Sequence, residues 1–135
     1  MVPNSQISES KKIPIRVLIV DDMPQVRQDL RVLLQLSNEV EVIGEAANGQ
    51  EAIRQAGLLN PDVVIMDLEM PILDGLRATT QIVKMKLTTR IVILSVHSEP
   101  EDIQRAMQAG ADAFIQKGTP YSTLMEAIQL NQKGE

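Results

Sequence analysis

One pattern constrains this chain more than any other. From Ile15 onward, a short apolar run, a turn and a segment with apolar residues at helical spacing recur five times in succession. Alternating βα units predict a parallel sheet covered by helices, because a parallel neighbour is reached only through a crossover long enough to hold a helix. The first unit is Ile15 to Val20, then Asp21-Asp22, then a helix opened by Pro24 with Val26, Leu30, Leu33 and Leu34 on one face. The second is Val40 to Ile43, then Asn48 as N-cap of a helix carrying Ala52, Ile53, Ala56 and Leu59. The third is Val63 to Met66, a loop ending in Asp74-Gly75, and a helix to Lys84. The fourth is Ile91 to Leu94, a loop through Pro100, and a helix closed by Gly110 in a left-handed C-cap. The fifth is a short strand at Ala113-Phe114-Ile115, then a helix with Tyr121, Leu124, Met125 and Ile128 on one face.

Composition orders the strands. Strands one, three and four are continuous apolar runs, as expected where helices cover both faces, whereas strand two alternates through Glu41 and strand five is short and followed by Gln116. The latter two belong at the edges. With right-handed crossovers the simplest arrangement is a doubly wound, flavodoxin-like (βα)5 sheet of order 2-1-3-4-5. Its topological switch point lies between strands one and three, and ligands of such sheets bind there, beyond the carboxyl ends of the strands. A chain of 135 residues is one domain's worth. Residues 1 to 13 are polar and aperiodic and read as a flexible tail; the folded unit is expected over 14 to 133.

The strand ends carry chemistry. Strand one ends in Asp21-Asp22, strand three in Asp67 and strand four in Ser95, and Lys117 follows strand five. Any one such Asp reads as an ordinary turn former or helix cap; three carboxylates, a hydroxyl and an ammonium converging on one end of the sheet do not. Carboxylates a few Å apart repel, so they share a proton or hold a cation. Oxygen-only ligands select a hard ion such as Mg²⁺, and the absence of cysteine and the single histidine, His97, remove thiolate and multi-histidine metal sites. A hard cation beside a carboxylate and a lysine is the apparatus of phosphoryl transfer, with a carboxylate as nucleophile. No GxxxxGK[ST] loop occurs, so a nucleotide is not the indicated donor.

Asp21-Asp22, the stretch Met66-Asp67-Leu68-Glu69-Met70-Pro71-Ile72-Leu73-Asp74-Gly75, Leu94-Ser95, and Gly110-Ala111-Asp112-Ala113-Phe114-Ile115-Gln116-Lys117 resemble the successive signatures of bacterial two-component response-regulator receiver domains. Leu94-Ser95-Val96-His97 and Ala109 to Phe114 are most similar to the NarL/LuxR class. The resemblance implies a regulatory module, not a metabolic enzyme, that assists its own phosphorylation and dephosphorylation. It implies Asp67 as phosphoacceptor from a sensor histidine kinase. It implies Mg²⁺ held directly by Asp22 and the backbone carbonyl of Glu69 beside Asp67, with Asp21 acting through water. Ser95 and Lys117 then contact phosphoryl oxygens, and Ser95 and Phe114 form the switch. Members of this class usually continue into a helix-turn-helix domain, so this chain is either a stand-alone receiver or one whose DNA binding, and control of transcription, would run through an output domain beyond it. A homodimer stays open. Gly118 stands after Lys117 where many receivers outside this class have proline, so the cis peptide often found there is not implied.

Charge and hydropathy narrow the remaining choices. With 18 acidic against 13 basic residues the net charge is −5, which repels nucleic acid and anionic membrane. Apolar runs such as Val17 to Val20 fall far short of the ~20 residues that span a bilayer. No secretory signal opens the chain, and the lack of cysteine fits a reducing, cytoplasmic setting. His97 reads as an exposed loop residue modulating access to the site, and Lys84, Lys86 and Arg90 read as a solvated basic face. An FMN carrier shares the topology, but one Tyr, one Phe and no Trp leave little to stack a flavin, and the loop Asp21-Asp22 would repel its phosphate. A phosphatase with an aspartate nucleophile would need a DxD motif after a strand, and none is present. A degenerate, partner-binding receiver is disfavoured by the intact set Asp21, Asp22, Asp67, Ser95 and Lys117.

Overall fold

The computed structural model describes residues 13–129. Five strands, β1 (Ile15–Val20), β2 (Val40–Ala46), β3 (Val63–Met66), β4 (Arg90–Ser95) and β5 (Ala113–Gln116), alternate with helices α1 (Pro24–Gln35), α2 (Gly49–Leu59), α3 (Gly75–Lys84), α4 (Pro100–Ala109) and α5 (Tyr121–Gln129). All neighbouring strands pair in parallel, in the order β2-β1-β3-β4-β5. The edge strands are those whose composition marked them.

The period-2 alternation of each strand sends its side chains to two separate cores. Val17 and Ile19 of β1 join Val63 and Ile65 of β3 and Val92 and Leu94 of β4 under α1 and α5, where Leu30, Leu34, Leu124 and Ile128 close the layer. Leu18 and Val20, with Val64, Met66, Ile91 and Ile93, face α2, α3 and α4, whose contact residues are mostly small: Ala52, Ala56, Ala78 and Ala106. Small residues let these three helices lie close on the sheet. Each fully buried large side chain contributes roughly 1.5–3 kcal/mol.

Local signals set the helix ends. Asn48 accepts from the Glu51 N–H (2.8 Å) at the start of α2, and Asp74 accepts from the Arg77 N–H (2.9 Å) at the start of α3. Gly110 ends α4 at φ +111°, with its missing Cβ leaving room for Val83. No cis peptide bond occurs among the described residues.

Two details differ from the sequence reading. Strand β2 runs to Ala46 rather than stopping at Ile43, because a bulge skips Ile43: Val17 pairs with Val42, but Leu18 pairs with Gly44. The first residue of β4 is Arg90, which is 4% exposed and not part of a solvated face, although Lys84 and Lys86 are exposed. Its Nη1 donates to the Ala127 carbonyl at 2.8 Å, satisfying the last turn of α5, which explains how a guanidinium is accommodated beneath the sheet. Residues 1–12 of the proposed tail and residues 130–133 of the expected folded unit lie outside the described residues.

Candidate functional site

The register of the sheet builds the site. Val20 of β1 lies beside Met66 of β3, so the residues that follow, Asp21 and Asp67, emerge together, tied by the Asp67 N–H donating to the Val20 carbonyl at 3.0 Å. Asp21, Asp22 and Asp67 each bring a carboxylate oxygen within 4.8 Å of the others. Asp21 and Asp67 are buried, at 2% and 7% exposure, while Asp22 is open to solvent.

Lys117 crosses from the far edge of the sheet to reach this cluster. Its backbone N–H donates to the Ser95 carbonyl at 2.8 Å, continuing the β4–β5 ladder for one more residue. Its Nζ then lies 2.8 Å from Asp21 Oδ2 and 3.8 Å from Asp67 Oδ1. Asp21 is further fixed by the Met23 N–H, which donates to its Oδ1 at 2.9 Å. With one cation against three carboxylates, the cluster keeps an excess of negative charge. Burial, and then the Asp21 charge, push the Asp67 carboxyl up to about 6, against the opposing pull of Lys117 and of the Leu68 N–H, with Asp22 adding a smaller upward push. A buried carboxyl held this far above its ordinary value, with two more carboxylates alongside, is a group prepared to take a counter-charge.

The donor set fits a hard divalent cation. It is made of carboxylate oxygens without sulfur or imidazole, and one of its members faces solvent, leaving ligand positions for water or substrate oxygens. The loop that follows Asp67 is held against it by Gly75, whose N–H donates to the Leu68 carbonyl at 2.8 Å. A Cβ at Gly75 would lie 2.0 Å from the Asp67 carbonyl oxygen, so only glycine permits this approach.

Ser95 sits at the end of β4, fully buried, and its Oγ accepts from the His97 N–H at 3.0 Å, which leaves its own proton available for donation. Phe114, one strand further, is half-buried and packs against the core under α2, α3 and α4. The Glu69 side chain points outward to His97, with Oε1 and Nε2 3.0 Å apart, both largely exposed. The five strand-end residues expected from sequence thus lie along one edge of the sheet, and Asp21, Asp22, Asp67 and Lys117 form a single contact group.

Two residues in this region went unrecognised in the sequence. Arg27 of α1 donates from Nη1 to the Asp21 carbonyl at 2.6 Å and from Nε to Glu45 Oε1 at 3.0 Å. Glu45 of β2 also takes the Arg31 Nε at 2.6 Å. Partial burial acts to raise the Glu45 carboxyl, but hydrogen bonds from Arg31 and Arg27 outweigh it and hold the group below its ordinary value. Nothing local marks these residues, since an α1 arginine and a β2 glutamate meet only through the fold.

No helix among the described residues is long and apolar enough to cross a membrane. Residues 17–129 match the response regulator receiver domain. The chain is 39% identical over 121 residues to the response regulator protein VraR of Staphylococcus aureus, covering 90% of this chain and 58% of VraR, so it spans little more than half the length of that relative. Its structure is similar to the signal receiver domain of NarL from Mycobacterium tuberculosis, with TM-score 0.85, 33% identity, and coverage of 90% of this chain and 98% of that one. It is also similar to a LuxR-family DNA-binding response regulator from Staphylococcus aureus, with TM-score 0.80, 29% identity, and coverage of 84% and 95%. Fold, strand-end chemistry and relatives agree, and the chain belongs to the response regulator receiver domain family, in its NarL/LuxR class.

Proposed function

We propose that this chain is the phosphoacceptor module of a two-component system and that Asp67 is the residue phosphorylated. The observation that carries this reading is the buried Asp67 carboxyl at the end of the central strand β3, crowded by Asp21 and Asp22 and faced by the Lys117 ammonium. The donor is a phosphohistidine on a sensor kinase. An Asp67 carboxylate oxygen forms a bond to phosphorus as the phosphorus–nitrogen bond breaks, and the electron pair leaves with the imidazole. Lys117 neutralises charge on the phosphoryl oxygens from one side, and Ser95 donates its hydroxyl proton from the other. Mg²⁺ would be held by the carboxylates of Asp22 and Asp67 and by the Glu69 backbone carbonyl, with Asp21 acting through water. Its chemistry there is to offset the charge shared by carboxylate and phosphoryl oxygens.

In this reading the protein works in the cytoplasm. That one structural relative is a DNA-binding response regulator supports an output through DNA, carried by a part of the protein beyond this chain. Phe114 is the partner of Ser95 in the switch, and self-association of the phosphorylated form is one route for the output. Incubation with a small-molecule phosphodonor and Mg²⁺ should add one phosphoryl mass to the chain and none to Asp67→Asn. Labelling that persists in Asp67→Asn would refute the assignment.

A further inference from the structure

The acidic cluster has an exposed member whose direction must be set from behind. Asp22 is the open carboxylate of the three, and among the described residues no side-chain hydrogen bond or ion pair of its own holds it. Its direction is set by the planar peptides on either side of it: the following one is held by the Met23 N–H, which donates to Asp21 Oδ1 at 2.9 Å, and the preceding one joins it to Asp21. The amide end of the Asp21 residue is tied to β2, its N–H donating to the Ala46 carbonyl at 3.0 Å. The carbonyl end, which belongs to the Asp21–Asp22 peptide itself, is held by Arg27 Nη1 at 2.6 Å.

Arg27 is in turn aimed. Its Nε meets Glu45 Oε1 at 3.0 Å, and the second oxygen of Glu45 is occupied by Arg31 Nε at 2.6 Å, so the carboxylate is held from two sides. The bulge in β2 precedes this segment, where Ile19 pairs with Glu45 and Val20 with Ala46. Helix α1 has no side-chain cap at Met23 and begins with Pro24; the contact from Arg27 back to the Asp21 carbonyl, together with the Met23 N–H bond to Asp21 Oδ1, ties its start to the end of β1. The guanidinium fork suits this duty, since one arm can grip a carbonyl while another grips a carboxylate.

We propose that Arg27, seated by Glu45, is a positioning residue for the metal site: it locks the Asp21–Asp22 peptide so that the Asp22 carboxylate faces Asp67. The inference rests on the metal reading of the acidic cluster given above. Its sign is informative. Arg27 is a cation just behind three carboxylates, so if it acted only through its charge, removing it would tighten cation binding. If it acts by holding the peptide, removing it weakens binding, by roughly ten-fold as for other residues that orient metal ligands from behind.

Mg²⁺ titration of the full chain, followed by calorimetry and amide NMR shifts, tests this alongside urea unfolding of the same samples. Unaltered chain and Asp22→Asn establish the reference, and loss of binding in Asp22→Asn confirms the metal reading independently. Arg27→Met should bind Mg²⁺ about ten-fold more weakly. Arg27→Lys keeps the charge but loses the fork, and it should also bind more weakly, which keeps the test decisive if Arg27→Met fails to fold. Equal or tighter binding in either folded variant overturns the positioning role while leaving the metal site intact. Lower stability with unchanged Mg²⁺ affinity overturns it as well, since that is the behaviour of a merely structural contact. Failure of the unaltered chain to bind Mg²⁺ overturns the metal reading and this inference with it.

Discussion

The crowding of carboxylates at Asp67 makes the site a measurable liability to the fold. Its carboxyl is raised to about 6, chiefly by burial and then by the Asp21 charge, whereas an unfolded chain returns it to about 4. The folded chain therefore holds this proton more tightly than the unfolded chain, so its contribution favours folding below pH 4 and is lost as pH rises from about 4 to 6. Two pH units correspond to roughly 3 kcal/mol, which is the upper bound on what ionised Asp67 costs the cation-free protein at pH 7. Asp67 is nearly buried, so solvent screening removes little of this. Asp67→Asn is almost the same shape and can keep the acceptor for the Leu68 N–H, yet carries no charge. It should be more stable than the unaltered chain by roughly 2–3 kcal/mol at pH 7 in chelator, and by nothing at pH 4. In a thermal melt the pH 7 difference corresponds to roughly 5–10 °C for a domain of this size. Comparing urea unfolding of the two proteins at several pH values isolates Asp67 from other groups that titrate in the same window. Saturating Mg²⁺ should narrow the difference, because the cation stabilises the unaltered chain by binding its folded form. Equal stability at pH 7, or a difference that does not change between pH 4 and 7, would refute the reasoning.

Other expectations test the frame around the site. Gly75→Ala drives a Cβ into the Asp67 carbonyl, a backbone atom that cannot swing aside, and should cost about 2–3 kcal/mol in urea unfolding and slow phosphorylation; a neutral result would show that the loop has more room than it displays. Arg90→Met removes the donor to the Ala127 carbonyl and should lower stability by roughly 2 kcal/mol, with faster amide exchange confined first to the end of α5; unchanged exchange there would contradict the clamp. Ser95→Ala should still accept a phosphoryl group at Asp67 but show much smaller amide shift changes over residues 97 to 121 on phosphorylation, and responses equal to those of the unaltered chain would remove the hydroxyl from signal transmission.

The parts of this molecule that sequence revealed are those written in local terms. Apolar runs at Val17 to Val20, Val63 to Met66 and Ile91 to Leu94 marked the central strands because both faces of each are covered, and the interruption at Glu41 marked an edge. Asn48 and Gly110 marked helix ends through bonds and backbone angles that those residues supply alone. The strand-end residues followed once the order of strands was known. What stayed hidden was settled by residues far apart in the chain. Arg90 carries a charge, and a charge reads as solvated until the α5 carbonyls that receive it are known. Glu45 lies past Ile43, where the sequence pattern ends the second strand, so no local pattern marked it; the bulge that carries β2 on to Ala46 depends on pairing with β1. The upward shift of Asp67 required the burial of the cluster, which no motif states.

These two kinds of information divide the work of the site. Strand ends place the reacting groups, while contacts across the sheet decide how they are charged and where they point. Lys117 shows the division most clearly. Its position follows from β5, but its ammonium is nearer to Asp21, at 2.8 Å, than to Asp67, at 3.8 Å. In the resting protein the lysine is thus held mainly by Asp21, the carboxylate beside the proposed phosphoacceptor. A phosphoryl group on Asp67 adds charge and strong acceptor oxygens on the far side of that balance. Because Lys117 donates its backbone N–H to the Ser95 carbonyl, any shift of its side chain toward Asp67 is made from the residue that also borders the Ser95 hydroxyl. The proposed response of Ser95 and Phe114 then needs no new element of structure, only a change in which of two carboxylates the lysine serves.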